Sequence, residues 1–403
     1  MDDFGRRDWL RGVGLGLGVG ITGTAAGKTL PGRKLPKPWT PDHGTWATPR
    51  FDPKNTAYSV NATPPTDSPT VAWTADVGTE VRSIAVTDGI LFVGGEKAVV
   101  ALDAESGTER WRHRGTAGTV AVRDGTVFAG GHDDEYSARA LAAADGSVEW
   151  ANERQYERCY HLLPAEDWLF VGAHSEVRAL ERDSGEVRWR FPTGLGDRGV
   201  ALADGRAYVG QPGPAVALES RPLLGELTRD RPRVAWESPG PAFGLAPVRV
   251  GGHVVVADGE DGPYNGGHAG YLYAYDADSG AEQWRQKVEM NALAPAVHGD
   301  TLFAPGLTYD DVARPGVVRA LDARTGAVLW STRLPRWPSG AFGAGDLLLV
   351  GGGNRGTPGV TALDAETGGE RWTVETDDDT DALAPVGDTV FAGSRAGTVY
   401  AIR

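Results

Sequence analysis

Cysteine is almost absent: Cys159 is the only one in 403 residues. A single thiol excludes an intramolecular disulfide, a four-cysteine zinc site and a Cys-x-x-Cys redox pair, so stability has to come from a packed core. Methionine is scarce too, with two residues, and only six of the forty basic residues are lysine, at positions 28, 34, 37, 54, 97 and 287. Against them stand 54 Asp and Glu, giving a formal net charge of −14. Such a chain repels nucleic acid and anionic membranes at long range, and neither is expected as a partner. Few lysines among many carboxylates suits multimolar salt, where screening removes self-repulsion. GC-rich coding favours the same arginine bias, and the charge reads as habitat rather than function. The nucleophile elbow Gly-x-Ser-x-Gly, the zinc motif His-Glu-x-x-His and the phosphate loop are all missing.

What is present begins with an address. Arg6-Arg7-Asp8-Trp9-Leu10-Arg11 precedes an uncharged, glycine-rich stretch from Gly12 to about Ala26 that ends in small residues, Thr24-Ala25-Ala26. This resembles a twin-arginine export signal, which implies export in the folded state to the outside of the cell or its surface. The stretch is too short and glycine-rich for a comfortable membrane-spanning helix, so no transmembrane domain is expected. No cysteine follows it to carry a lipid. We divide the chain into a signal (1–26), a Pro- and Gly-rich linker (27–48), a leader segment (49–70) and a repeat region (71–403).

The repeat region is marked by tryptophan. Ala-Leu-Asp-Ala-Glu-Ser-Gly-Thr-Glu-Arg-Trp at 101–111 recurs in related form, and the marker residues are Trp73, Trp111, Trp150, Trp189, Trp236, Trp284, Trp330 and Trp372. Their spacing of 38 to 48 residues is that of a propeller or solenoid. Within a unit, Ser83–Val86, an Asp88-Gly89 turn, Ile90–Val93, Val99–Leu102 and the Trp strand read as four antiparallel strands. The second strand is apolar on both faces, as in a blade sandwiched between neighbours. Asp in the turn accepts bonds from the following backbone, and Gly supplies the positive φ. The last unit stops after its third strand at Arg403, while Val71–Ala75 is a fourth strand without its first three. Together they make one blade, so the expected fold is an all-β, eight-bladed propeller closed by the N-terminal strand.

The Leu-Asp-Ala-x-[Ser/Thr]-Gly-x-x-x-Trp unit resembles the pyrroloquinoline-quinone-type (PQQ-like) repeat. Quinoprotein alcohol dehydrogenases and the scaffold lipoprotein of the bacterial barrel-assembly machinery share it. The dehydrogenases imply an adjacent cysteine pair and a Glu/Asn/Asp calcium set, and neither is matched here. The resemblance therefore implies an exported, monomeric, non-enzymatic platform that binds a protein partner or ligand on its top face, with no cofactor. The alternative is a PQQ-dependent oxidoreductase, with calcium, or another small-molecule binder at the channel mouth. A secreted hydrolase with a site spread over several blades is a third reading.

In a propeller, the loops before the first strands and those between second and third strands open on one face, here called the top, around the channel. Register places Arg82, Arg158 to His161, Arg198, Asn291, Ser339 and Asp381 at that mouth. The arginines suit a carboxylate or phosphate, or else pair with carboxylates such as Asp381 and Asp197. In the loop 258–268, Asp258, Glu260, Asp261 and Asn265 offer oxygen ligands for calcium, or form a solvated loop. Asp377–Asp381 reads as a solvated connection. Cys159 is either a thiol activated by Arg158 or a buried, inert one.

Overall fold

The computed structural model describes residues 35–131, 136–153, 159–193, 199–211, 213–219, 232–240, 245–258, 270–288, 290–308, 316–353 and 356–403. Residues 1–26, expected as a signal, and residues 27–34 of the expected linker lie outside them. Eight antiparallel sheets follow one another as blades 1 to 8: 81–114, 119–153, 159–192, 200–238, 248–287, 290–334, 338–375, and 380–402 with 71–76. The closure is as expected. Strand Val71–Asp76 pairs antiparallel with Thr398–Ile402, with Trp73 opposite Ala401.

The repeated motif does the same work in blades 1, 5, 6 and 7. Asp103 Oδ1 accepts from the Glu105 and Ser106 amides and from Ser106 Oγ, and Asp276, Asp322 and Asp364 repeat this pattern. A hydrogen bond from Arg110 and two from Ser106 hold the Asp103 carboxyl down at about 2. Gly107 follows at φ 72, and the next strand then bulges, with Ala101 opposite Trp111 but Leu102 opposite Glu109. Glycine is needed at this turn for a second reason. A Cβ on Gly146 would stand 2.5 Å from the Trp111 ring, and Gly107, Gly185, Gly280, Gly326 and Gly368 meet the tryptophan of the preceding blade in the same way.

The indole N–H groups are satisfied by the same neighbour. Trp111 donates to Ala143 O, Trp150 to Arg182 O, Trp236 to Ala277 O, Trp284 to Ala323 O, Trp330 to Ala365 O and Trp73 to Ala104 O, at 2.7 to 3.3 Å. Each acceptor directly follows the first residue of the turn, so one aromatic ring staples each blade to its neighbour. Blade 8 has no such turn, its third and fourth strands coming from opposite ends of the chain, and Trp372 donates instead to Pro65 O of the leader at 2.7 Å. For Trp189 the corresponding position, 220, lies outside the described residues. Between blades 1 and 2 the core is apolar, with Phe92 and Trp111 against Val120, Val127 and Leu141, while Val120 N donates to Ser83 Oγ and Arg139 meets His113 at its margin.

The leader departs most from the sequence reading. Its described part is packed already at Leu35, inside the stretch assigned to the linker, with Leu35 and Trp46 buried. From there it bonds to the first strand, or the turn just after it, in all eight blades. Trp46 and Val86 exchange two bonds of 2.8 Å (blade 1), Val122 N donates to Ala47 O (blade 2), and Trp39 Nε1 donates to Pro164 O (blade 3). Leu202, Arg249, Val297 and Gly343 then donate to the carbonyls of Pro53, Lys54, Thr56 and Ala57 (blades 4 to 7), and Thr63 N donates to Gly387 O (blade 8). First strands are sheet edges with unpaired backbone groups, and the leader satisfies them. In blade 7 it adds a short parallel strand, Tyr58–Ser59, beside Pro338–Ala344. These contacts cluster at the first-to-second strand turns, so the leader closes the channel at the end opposite the top face. Phe51, Asn55 and Ala57 hold left-handed backbone (φ 71, 59 and 51), which surrounding contacts must enforce.

Candidate functional site

Above the leader lies a pocket of about 250 Å³ at the channel mouth. The starts of the first strands of blades 1, 7 and 8 wall it with Ile84, Phe342 and Leu383, and blade 6 adds Leu293 and Ala294. Its floor is Pro49 and Arg50, the part of the leader that crosses the channel. Of the mouth residues predicted from register, Arg82, Ser339 and Asp381 line this pocket. Arg158 and Arg198 lie outside the described residues, as does the side chain of Asn291, whose backbone pairs with Leu307.

The rim charges are mutually compensated. Arg82 Nη2 contacts Glu80 at 2.9 Å and Glu96 at 2.7 Å. Arg395 reaches Asp381 at 2.7 Å, Asp379 at 2.9 Å and Glu80 at 3.7 Å. Two guanidinium groups thus face four carboxylates, and Arg82 is not held ready for an anion. Burial pushes the Asp379 carboxyl up, against the opposing pull of Arg395. The 377–381 segment is therefore anchored rather than merely solvated. Its Asp377 Oδ2 accepts from Thr398 Oγ1 at 2.5 Å, and its Asp377 amide donates to the Tyr400 hydroxyl.

Arg50 differs from the rim arginines. The first strand of blade 6 is broken into Met290–Ala292 and Ala296–His298, because Pro295 lacks an N–H for the ladder. The break frees the carbonyls of Ala294 and Pro295, and Arg50 caps them: Nη1 donates to Ala294 O at 3.2 Å, and Nη2 to Pro295 O and to Asn55 O. Its Nε has no partner among the described residues. Burial lowers the Arg50 pKa to about 10, with Asp52 opposing, so the group stays cationic at neutral pH. Asp52 itself spends its oxygens on the Lys54 and Thr56 amides and the Thr56 hydroxyl.

His161 is buried in the wall between blades 3 and 4, where its Nε2 donates to Val200 O at 3.1 Å. Asn55 Nδ2 donates to the same carbonyl and to Pro247 O, tying leader, histidine and two blades together. Desolvation, reinforced by the charge of Arg50 and only partly offset by the Val200 bond, pulls the His161 pKa to about 4. The folded state therefore resists a proton that the unfolded chain accepts near the ordinary value of about 6.5. Stability from this group is whole above pH ~6.5 and falls by about 3 kcal/mol as pH drops towards 4, levelling off below it. We expect His161→Gln to flatten the pH dependence of urea unfolding over that window by about one proton. An unchanged slope would show that His161 is not held neutral. Cys159 is the inert alternative: burial pushes its thiol up to about 12, and Sγ lies 3.6 Å from His161 O.

The pocket does not fit a calcium-bound quinone. Among the described residues no group of three or more His, Cys, Asp or Glu is placed to hold a metal ion, and the pocket's single carboxylate, Asp381, is bonded to Arg395. In the predicted calcium loop, Asp258 is buried with its amide on Tyr271 O, while Glu260, Asp261 and Asn265 lie outside the described residues.

Fold and pocket define the class: an eight-bladed propeller of PQQ-like repeats whose channel is closed at one end by its own leader. The chain belongs to the family described as "Outer membrane protein assembly factor BamB", whose model matches residues 56–171, 173–306 and 268–403. Among solved structures, BamB of Moraxella catarrhalis aligns at TM-score 0.64 and 16% identity, over 83% of this chain and 100% of that one. Quinohemoprotein alcohol dehydrogenase of Comamonas testosteroni aligns at TM-score 0.65 and 15% identity, over 89% and 80%. A designed protein, Ika8, reaches TM-score 0.65 at 13% identity, over 81% and 96%. At these identities the likeness is one of fold. A curated relative, the serine/threonine-protein kinase AfsK of Streptomyces griseus, is 26% identical over 215 residues, which is 53% of this chain and 16% of the kinase.

Proposed function

We propose that the chain is an exported scaffold, not an enzyme, that binds a protein partner or ligand at the top of its channel. The observation that carries this reading is the one-sided channel. The leader fills the lower end with contacts to all eight blades, leaving a concave pocket above Arg50. Membership of a family described by an assembly factor agrees with a platform role. Export rests on the Arg6-Arg7 pair and the small residues at 24–26.

The reading is tested by placing a photo-crosslinking amino acid at Ser339, on the pocket wall, and at Val60, 66% exposed beside the Gly345 turn at the opposite end. The proteins are expressed in the native host and irradiated on intact cells. Adducts from position 339 and none from 60 are expected. Adducts from 60 alone would overturn the reading.

A further inference from the structure

Of the two arginines that line the pocket, Arg50 is the one that no carboxylate contacts directly, Asp52 acting on it only at longer range. It forms no ion pair within 4 Å among the described residues, and its hydrogen bonds go to three neutral carbonyls. Every other charged group on the pocket is matched: Arg82 by Glu80 and Glu96, Asp381 by Arg395. The surfaces above Arg50 are apolar, from Ile84, Leu293, Phe342 and Leu383. A cation at the base of an apolar well attracts a molecule with one negative end and an apolar body, because burying the pair removes the cost of holding an unmatched charge away from water. The Nη1 proton of Arg50 that is not spent on Ala294 O can donate a charge-assisted bond to a carboxylate oxygen. At about 250 Å³ the well is smaller than pockets for drug-sized ligands, which begin near ~300 Å³.

We propose that the pocket binds a small monocarboxylate with a branched or aromatic body, head down on Arg50. The proposal deepens, and rests on, the top-face binding reading. Two sources offer this chemistry: a free carboxylic acid, or the C-terminal residue of a partner polypeptide when that residue is apolar. In both, the carboxylate replaces water at the free Nη1 proton of Arg50, and the body displaces water from the walls. The Arg50 bonds to Ala294 and Pro295 orient the guanidinium beforehand, so little ordering is needed on binding. Because Arg50 comes from the leader and its acceptors from a strand break in blade 6, this site depends on two irregularities of the fold rather than on the repeat.

The test is calorimetric titration of the full chain with 4-methylpentanoate and its neutral amide, and with an acetylated hexapeptide ending in leucine, as free acid and as C-terminal amide. The expected result is that at least one free acid binds and its amide binds at least tenfold more weakly. Leu293→Glu puts a carboxylate on the half-buried pocket wall without touching the Arg50 bonds. It should lower acid affinity at least tenfold at an unchanged melting temperature. Arg50→Gln should do the same, and Leu293→Glu decides the matter if Arg50→Gln loosens the leader. Tighter binding of the peptide acid than of 4-methylpentanoate assigns the partner source, and the reverse assigns the metabolite source. No binding of either acid at millimolar concentration, equal binding of acid and amide, or unchanged affinity in Leu293→Glu overturns the proposal. Crosslinks from position 339 together with silent titrations would remove this inference alone, whereas crosslinks only from position 60 would remove the top-face reading itself.

Discussion

Replacing Trp46 by alanine is expected to lower the free energy of unfolding by about 3–5 kcal/mol, the range for removing a large buried aromatic from a core. Trp46 is fully buried, though it belongs to no blade. Its ring sits 5.0 Å from Phe51 and 6.1 Å from Phe342, and its backbone exchanges both hydrogen bonds with Val86. The indole therefore joins leader, blade 1 and blade 7 inside the channel. The cavity it leaves cannot collapse readily, because the surrounding first strands are fixed by their own sheets. Urea unfolding should show a lower midpoint, with Val60→Ala, at a leader position 66% exposed, within about 0.5 kcal/mol of wild type. A loss below about 1 kcal/mol in Trp46→Ala would mean that the leader is an ornament on a self-sufficient ring.

A comparably large effect is expected where the circle closes. Ala401 lies in the third strand of blade 8, opposite Phe391 on one side and Trp73 on the other. Proline there removes a ladder donor and crowds a strand paired along both edges, a place proline avoids. We expect Ala401→Pro to cost roughly 3 kcal/mol or more, and to release strand Val71–Asp76 so that two edges are exposed to self-association. Static light scattering in mild denaturant should then report oligomers, while the wild type stays monodisperse. If the variant melts like wild type and scatters like it, closure by the N-terminal strand contributes little.

The repeat was readable in the sequence because it is written eight times. One Asp-Gly turn or one tryptophan carries little information, but eight tryptophans at similar spacing specify strand order, blade number and closure together. The acceptors of six indoles share one repeat position, as Ala104, Ala143 and Ala323 show, although the sequence alone named none of them. The leader was not legible as a plug. Its contacts are single backbone bonds from Ala47, Pro53, Lys54, Thr56 and Ala57, residues of no common type or period, aimed at strands far away in sequence. Proline-rich composition made residues up to 48 look like a linker, yet proline and left-handed backbone are also what a chain needs to turn within a narrow channel. The pocket was half legible. Register placed Arg82, Ser339 and Asp381 at the mouth, but it could not show that Arg82 is neutralised by Glu96 and Glu80, or that the leader supplies the floor cation at Arg50. Pro295 was the available signal: a proline inside a first strand predicts a break in the ladder, and a break leaves carbonyls that need a donor.

The leader completes the inner edges of the propeller and so makes the channel one-sided. Hydrogen exchange at single-residue resolution on the native protein tests it most directly, at the amides of Val86, Val122, Leu202, Arg249, Val297 and Gly343, which all donate to leader carbonyls. The prediction is that they exchange as slowly as amides of the paired second strands, such as Phe92 and Leu349, opening only with global unfolding. Exchange at the rate of exposed sheet edges, with the second strands still protected, would contradict it.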